Sequence, residues 1–182
     1  MNAAYKIERS TPRHIRFLAE IEREAAELFI GQGVPESVIS EETSETDFRR
    51  AQRDGLLWVA VSGTGVPVGF ALVEILDGAA HLEEIDVHPT HGRRGIGSAL
   101  IRAVCDWARQ SELSAVTLTT FRDIPWNAPL YARLGFRELS TDRLSPVLAA
   151  LVREEAERGL ESARRVVMSF EISAIQVEHS DV

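Results

Sequence analysis

The sequence has very little of two residues on which many kinds of enzyme depend. Lys6 is the only lysine and Cys105 the only cysteine among 182 residues. A P-loop needs a lysine after its glycines and a pyridoxal enzyme needs one for its Schiff base, whereas Lys6 lies in a polar N-terminal stretch. A single cysteine excludes an intrachain disulfide framework and is typical of a reducing compartment. Apolar neighbours at helical spacing favour a buried, inert Cys105 over a nucleophile.

Long apolar runs and an excess of positive charge are also missing. No stretch approaches the roughly 20 apolar residues of a membrane-spanning helix, and the opening residues are charged. The formal net charge is -8, which argues against a nucleic-acid partner because binding to a polyanion depends on cations that neutralise phosphates. We therefore expect a cytoplasmic protein that binds neither membranes nor nucleic acid.

The overall composition is that of an ordinary globular protein, with 45% hydrophobic and 26% charged residues. A chain of this length forms one domain and buries roughly two thirds of the surface that its unfolded form exposes. We expect a single domain over residues 1–182, with a core from about residue 5 to residue 172. The polar stretch 176–182 is predicted to be a loose tail.

Hydrophobic periodicity divides the chain into helices and strands. Helices are predicted from about Pro12 to Ile30, over a polar stretch at 38–53, and at 98–110, 127–134 and 145–158. Strands are predicted near 5–9 and at 57–61, 68–75, 80–87, 115–120 and 165–172, with one more opening at Gly135-Phe136. Three consecutive strands joined by short turns form an antiparallel meander, and helices alternate with strands after it. The predicted fold class is α/β, a mixed sheet flanked by helices.

A loop rich in glycine and arginine follows the third strand of the meander, over residues 87–100. Gly95 and Gly97 let the backbone approach an anion closely, and the amphipathic helix that begins there has unpaired amides and a positive dipole end. Arg93 and Arg94 add full positive charges. The loop therefore predicts a ligand that carries a phosphate or pyrophosphate.

Two other interpretations compete for this loop. The glycines could simply make a tight turn with solvated arginines beside it. A dinucleotide-binding turn is the sharper alternative, but Leu100 occupies its third glycine position and no acidic residue follows about 20 residues later. Three meandering strands before the loop also do not make the βαβ unit that such a turn requires.

The loop resembles the acyl-CoA pyrophosphate loop of the GNAT superfamily, whose pattern is Q/R-x-x-G-x-G/A. Gly95, Ile96 and Gly97 match its second half, while Gly92 stands where the pattern has glutamine or arginine. The order of elements from about residue 5 to 172 is also similar to that fold. The resemblance implies acetyl-CoA as co-substrate, with its pyrophosphate bound at Gly92, Arg93, Arg94, Gly95, Ile96, Gly97 and Ser98. It also implies that the pantetheine arm pairs with the strand that ends at Ile85, Asp86 and Val87.

A second motif spans residues 125–136, where Tyr131 stands four residues before Gly135-Phe136. It resembles the superfamily's helix that ends in a tyrosine, although a small helix with a core aromatic would look the same in isolation. A phenol has a pKa of about 10, so Tyr131 holds its proton at neutral pH and could donate it to a departing thiolate. Asn127, one helical turn earlier, could bond the pantetheine arm or the surroundings of Tyr131. The backbone amide of Val87 is the candidate donor to the oxyanion.

The candidate general base lies on the acidic third strand of the meander. Strict alternation puts Glu84 and Asp86 on one face, with Glu83 and His81 on the other. Carboxylates are costly to bury on a central strand unless they are used. We choose Glu84, which would act directly or through water; water alone with the small fraction of neutral amine is the alternative.

Three histidines near these acids raise the possibility of a metal site. His81, His88 and His91 lie partly on a strand and partly on a loop, and no H-E-x-x-H spacing occurs. Their side chains are expected to point in different directions. We therefore predict no metal ligands.

Taken with the resemblance, these motifs predict an N-acetyltransferase that moves the acetyl group of acetyl-CoA to a primary amine of a small molecule or protein. The alternative is a GNAT-like domain that binds or senses acyl-CoA without turnover. The resemblance assigns acceptor recognition to the first two helices and their link, residues 29–38, and the acidic strand suggests a cationic amine. A homodimer is left open by the sequence.

Overall fold

The structure is a computed structural model, in which residues 5–160 and 164–172 are described. Seven strands form one mixed sheet: β1 (Lys6–Arg9), β2 (Leu57–Val61), β3 (Pro67–Leu76), β4 (Ala79–Val87), β5 (Ala115–Phe121), β6 (Arg137–Glu138) and β7 (Arg165–Glu171). Their order in the sheet is β1-β2-β3-β4-β5-β7-β6. Strands β4 and β5 are parallel, and the other neighbours are antiparallel. The predicted mixed sheet is confirmed, while the predicted loose tail lies outside the described residues.

Six α-helices in the described part of the chain flank this sheet. They are α1 (Leu18–Ala26), α2 (Glu36–Ile39), α3 (Glu45–Asp54), α4 (Ile96–Gln110), α5 (Ala128–Arg133) and α6 (Pro146–Glu157). Helix α4 buries an apolar stripe against one face of the sheet because its apolar residues recur every three or four positions. Ile15 and Leu18 pack with Phe48 of α3 against the opposite face. None of the described helices is both long and apolar enough to cross a membrane.

The first two helices differ from the sequence prediction. The first α-helix begins at Leu18 and not near Pro12, because residues 15–17 form a 3₁₀ turn and His14 makes no capping bond. The predicted helix over 38–53 is two helices, α2 and α3. Ser44 starts the second one by accepting a hydrogen bond from the Asp47 N–H at 3.1 Å. Cys105 is buried in α4, as predicted.

The parallel strands β4 and β5 pair only at one end. Ala80 pairs with Val116 and His81 with Thr117, and no further pair joins these strands within the described residues. Beyond that point the two strands diverge toward their carboxyl ends. The divergence leaves one edge of β4 open in the middle of the sheet, between the two layers of helices.

Strand β4 contains a β-bulge at Glu83. Glu84 pairs with Leu72 of β3, but the next pair joins Leu82 to Val73, so one residue of β4 is left over. As a result Leu82 and Ile85, three residues apart, both pack against the α4 side of the sheet.

The bulge overturns the alternation predicted for the acidic strand. Glu84 pairs with Leu72, which packs in the cluster beneath α1 and α3. His81 pairs with Glu74, two residues further along β3 on that same side. The predicted separation of Glu84 and Asp86 from His81 onto opposite faces is therefore wrong, because one extra residue shifts the alternation.

Candidate active site

The glycine-rich loop presents a run of free backbone amides. The backbone N–H groups of residues 93–98 donate no hydrogen bond within the described part of the chain. Two residues of the loop have left-handed backbones, Arg93 with φ 56° and Gly95 with φ 79°. Such a turn directs successive N–H groups to one side, and the positive end of the 15-residue helix α4 lies behind them. This arrangement suits a phosphate or pyrophosphate.

The loop also has room for such a ligand. A Cβ added at Gly95 would meet no atom within 4 Å, and one added at Gly97 would meet only the Val87 Cγ2 at 3.9 Å. The contact between Gly97 and Val87 brings the first turn of α4 beside the end of β4. A ligand could therefore run without interruption from the loop to the open edge of that strand.

The two arginines of the loop have different surroundings. Arg94 donates to the Tyr5 hydroxyl at 2.8 Å and to the Thr90 carbonyl at 3.1 Å. The Tyr5 hydroxyl is also 3.0 Å from Nδ1 of His91. Arg93 is exposed and has no hydrogen-bond partner among the described residues. Arg94 therefore holds the loop in place, and Arg93 is the arginine available to a ligand. The sequence did not reveal the role of Arg94, because its partner Tyr5 lies 89 residues earlier in the chain.

The open edge of β4 continues from the loop into the sheet. Ile85, Asp86 and Val87 pair with β3 on one side only. The contact with β3 is close, because a Cβ at Gly69 would lie 2.8 Å from the Asp86 carbonyl oxygen. The unpaired side offers backbone donors and acceptors to an amide-bearing chain that adds like a strand.

Tyr131 of α5 lies in the core cluster on the α4 side of the sheet. Its ring is 7% exposed and meets Phe136 edge-on at a centroid distance of 5.7 Å. Burial and then the charges of Glu84 and Asp86 raise the pKa of Tyr131 above its ordinary value, so the phenol is protonated at neutral pH. Its hydroxyl forms no hydrogen bond with a described residue.

Asn127 lies just before α5, one turn from Tyr131. Its carbonyl accepts from the N–H groups of Leu130 and Tyr131 at 2.8 and 3.1 Å. The side chain is half-buried and forms no capping bond. The amide is therefore free to bond a ligand.

Four carboxyl groups lie around the bulge and form what we call the acidic cluster. Its members are Glu22 of α1 with Glu83, Glu84 and Asp86 of β4. Burial, and then the Glu22 charge, raises the pKa of Glu84 to about 7. Burial, and then Glu74, raises the pKa of Glu83 to about 7. Burial and Glu84 raise the pKa of Asp86 well above its ordinary value.

Glu22 was not identified from the sequence as a site residue. Its buried carboxylate accepts from the Thr43 N–H at 3.0 Å and from the Thr43 hydroxyl at 2.7 Å. Burial raises its pKa. The signal was present, because Glu22 falls within the buried stripe of Leu18, Ile21 and Ala25, where a carboxyl group is costly without a purpose.

The histidines near these acids do not converge. His81 is buried, with Nδ1 3.0 Å from the Thr117 hydroxyl. Burial and then Arg165 lower its pKa to about 4, so it is neutral at physiological pH. His88 and His91 lie on the glycine-rich loop. Within residues 5–160 and 164–172, no three His, Cys, Asp or Glu side chains are grouped to hold a metal ion.

Comparison with known proteins identifies the family and the fold. The profile of the acetyltransferase (GNAT) family matches residues 16–136. Among solved structures, the ribosomal-protein-S18-alanine N-acetyltransferase of Escherichia coli aligns with a TM-score of 0.66 at 19% identity, over 96% of this chain and 98% of that one. The PaiA N-acetyltransferase of Thermoplasma acidophilum, in complex with coenzyme A, gives 0.69 at 17%, over 92% and 99%.

A third solved structure is that of a longer protein, only part of which aligns with this chain. The N-acetylglutamate synthase of Neisseria gonorrhoeae, complexed with coenzyme A and N-acetyl-glutamate, gives a TM-score of 0.70 at 15% identity, over 96% of this chain and 36% of that one. At these identities the structures show a shared fold and no more.

Proposed function

The chain belongs to the acetyltransferase (GNAT) family, and we propose that it transfers the acetyl group of acetyl-CoA to a primary amine by direct attack on the thioester. One observation carries the proposal. The open edge of β4 connects a loop of free amides at one end to a buried tyrosine and a carboxyl group of raised pKa beside it. Those are the parts that a thioester and an attacking amine require.

Binding of the co-substrate follows the open edge. The amides of residues 93–98 and the Arg93 guanidinium hold the pyrophosphate, while Arg94 keeps the loop in shape through Tyr5. The pantetheine arm pairs with Ile85, Asp86 and Val87 on their free side, and the Asn127 amide, which makes no capping bond, is our candidate for a further contact with it. This leaves the thioester at the divergence of β4 and β5.

The chemistry needs a base, a donor to the oxyanion and an acid. The neutral amine attacks the thioester carbonyl carbon, and the Val87 N–H stabilises the oxyanion that develops. As the carbon–sulfur bond breaks, Tyr131 gives its proton to the thiolate. Glu84, directly or through water, takes the proton that the new amide nitrogen loses. The proton on Glu84 then returns to the Tyr131 phenolate through water, which closes the cycle with one amide and one free thiol formed.

The ionisation states suit these roles. A base works best when its pKa is near the operating pH, and the pKa of Glu84 is about 7. The raised pKa of Tyr131 keeps the proton in place until negative charge develops on sulfur.

Incubation of the purified protein with acetyl-CoA and a panel of amines tests the proposal. We expect release of free CoA thiol in step with an acetylated amine, identified by its mass, and no thiol release without an acceptor. Binding of CoA, detected by tryptophan fluorescence, with no transfer to any amine would contradict catalysis and favour the acyl-CoA-sensing alternative.

A further inference from the structure

We propose that Arg164 is a positioning residue for the acceptor, because its side chain holds the segment between α1 and α2 across the divergence of β4 and β5. This segment, residues 27–35, is the α1–α2 link. The inference rests on the proposed acetyltransferase function and deepens it by assigning a residue that controls the acceptor side of the site. It depends on the course of the link, on the hydrogen bonds of Arg164 and on the backbone at Gly33.

The α1–α2 link runs from the β4 side of the divergence to the β5 side. Helix α1, which ends at Ala26, packs against β3 and β4. Three residues later the ring of Phe29 meets that of Phe121, at the carboxyl end of β5, with 5.9 Å between the ring centroids. Phe121 lies on the face of β5 opposite Leu118, which packs on the α4 side. The link therefore crosses the divergence on the α1 side of the sheet.

Arg164 connects this link to two other segments. Its Nη1 donates to the Gly33 carbonyl oxygen at 3.0 Å, while its Nε and Nη2 donate to Oδ2 of Asp123 at 3.1 and 3.0 Å. Asp123 belongs to the loop after β5, and the Arg164 carbonyl accepts from the Arg122 N–H of that loop at 2.8 Å. The guanidinium carbon is 5.5 Å from the centroid of the Phe121 ring. One side chain thus joins the link to the end of β5 and to the start of β7.

The backbone of the link leaves room for this guanidinium at Gly33. Gly33 has φ 73°, a left-handed conformation that residues with a side chain rarely adopt. A Cβ added there would lie 2.8 Å from Nη1 of Arg164, so the guanidinium would have to move. Gly31 has nearly the same backbone, with φ 78°, but a Cβ there would meet no atom within 4 Å. Glycine is therefore needed at position 33 for a second reason, which is the position of Arg164.

The polar contact matters because packing beneath the link is incomplete. Phe29 and Val34 pack in an apolar cluster, whereas residues 30–33 between them are exposed. A cavity of about 40 Å³ lies under this part of the link, and it is lined by Gly33, Pro35, Phe121, Gly159, Leu160 and Arg164. Arg164 therefore supplies the contact that fixes the middle of the link.

The course of the link bears on the acceptor. In the proposed function the thioester lies at the divergence, and the amine approaches it from the α1 side. The amine then passes the link, and its reacting nitrogen is placed correctly only while the link keeps its course. Loss of the Arg164 contacts should weaken acceptor binding and leave CoA binding unchanged, because CoA is held by the loop before α4.

Amide hydrogen exchange of the intact protein, followed by mass spectrometry, tests the contact itself. The N–H groups of Ile30 and Gln32 in the link donate to the carbonyls of Glu27 and Phe29 at 3.1 and 3.0 Å. We expect a peptide that covers the link to exchange about three- to tenfold faster in Arg164→Gln, because a partly exposed charge-assisted hydrogen bond is worth about that factor.

Two further substitutions control for the loss of an arginine. Arg158 pairs with Glu41, beyond α2, at 3.3 Å, and both side chains are half exposed. In Arg158→Gln the link should exchange as in the wild type. Arg164→Lys keeps a charge that can reach one partner at a time, so its exchange should fall between those of Arg164→Gln and the wild type.

Steady-state kinetics tests the effect on the acceptor. Transfer from acetyl-CoA is measured with butylamine, benzylamine and a tetrapeptide with a free amino terminus. For each amine that the wild type acetylates, we expect Arg164→Gln to raise KM about three- to tenfold, with kcat and the CoA dissociation constant within about twofold of wild type. A loss of stability alone would instead reduce the amount of active protein, which lowers kcat and leaves KM unchanged.

Two glycine substitutions separate the Arg164 contact from backbone strain. Gly33→Ala and Gly31→Ala both place a side chain on a left-handed backbone, but only the first displaces Arg164. We expect Gly33→Ala to raise the acceptor KM as much as Arg164→Gln does, and Gly31→Ala to raise it less. Gly33→Ala combined with Arg164→Gln should raise KM no further, since both changes act on one contact.

The outcomes separate this inference from the function on which it rests. Unchanged exchange of the link in folded Arg164→Gln would overturn the inference. Faster exchange with an unchanged acceptor KM would also overturn it, and would leave an acetyltransferase in which Arg164 only stabilises the fold. Absence of transfer by the wild type to all three amines, with CoA still bound, would instead contradict the proposed function together with the inference.

Discussion

At the scale of single residues, the ionised carboxylate of Glu84 destabilises the folded protein. Its pKa in the folded protein is about 7, above the ordinary value near 4.5, because it is partly buried close to Glu22. The folded state therefore binds a proton more readily than the unfolded state. The resulting destabilisation is absent below pH 4.5, grows between pH 4.5 and 7, and is complete above pH 7.

Replacing this carboxyl should stabilise the free protein in a pH-dependent way. We expect Glu84→Gln to raise the melting temperature at pH 8 by about 2 to 4 °C, which corresponds to roughly 1 kcal/mol for a domain of this size. At pH 4.5 the variant and the wild type should melt together, because the wild-type carboxyl is then protonated. Glu20→Gln is the exposed control, and it should show no pH-dependent difference. A melting temperature lowered by Glu84→Gln at pH 8 would contradict the raised pKa.

At the scale of elements, periodicity identified the strands and the longer helices because each buries a continuous apolar face. The stripe of α4 indicates a helix, and the short length and β-branched composition of the dense apolar run in β2 indicate a buried strand. The bulge in β4 was not predictable in the same way. No glycine or proline marks Glu83, and the extra residue follows from the register with β3, which lies in another segment of the chain.

The residues of the candidate site also fall into two groups, those that local patterns identify and those that they do not. Local motifs gave the glycine-rich loop and Tyr131, since each is contained in about a dozen consecutive residues. Glu22 and the Arg94–Tyr5 contact depend on elements far apart in the chain. Such contacts are set by tertiary packing, and neither hydrophobic pattern nor spacing reports them.

The junction of the glycine-rich loop with α4 leads to a prediction for a substitution at Gly97. A valine there should fill the space over the free amides and weaken CoA binding at least about tenfold, because a branched side chain keeps phosphate away from the helix. The fold should tolerate it, since Cβ would meet only Val87 Cγ2 at 3.9 Å. Titration of CoA, followed by tryptophan fluorescence, measures the effect.

Two variants control for it. Gly97→Ala should have a smaller effect, and Gly63→Val none, because Gly63 lies in the β2–β3 turn with no atom near its Cβ position. If folded Gly97→Val bound CoA as tightly as the wild type, the loop could not be the pyrophosphate site.

At the scale of the whole molecule, the sheet brings two half-sites together. The α4 side contributes the loop and Tyr131, while the α1 side contributes Glu22 and the space around the acidic cluster. The divergence of β4 and β5 is the passage between them. In the proposed function, acetyl-CoA and the amine approach from different sides and meet at one point, which is the arrangement that direct transfer without a covalent enzyme intermediate needs.

Single-turnover acetyl transfer by Tyr131→Phe tests this arrangement most directly. The reaction is followed with saturating acetyl-CoA and an amine acceptor from the panel used to test the proposed function. The chain contains two tyrosines, so Tyr5→Phe is the matched control; it removes a hydroxyl that contacts Arg94 and should affect CoA affinity more than the chemical step. We expect the single-turnover rate of Tyr131→Phe to fall about 100- to 10,000-fold, with CoA affinity and melting temperature nearly unchanged. An unchanged rate in folded Tyr131→Phe would show that the hydroxyl donates no proton to the thiolate and that the proposed site of transfer is wrong.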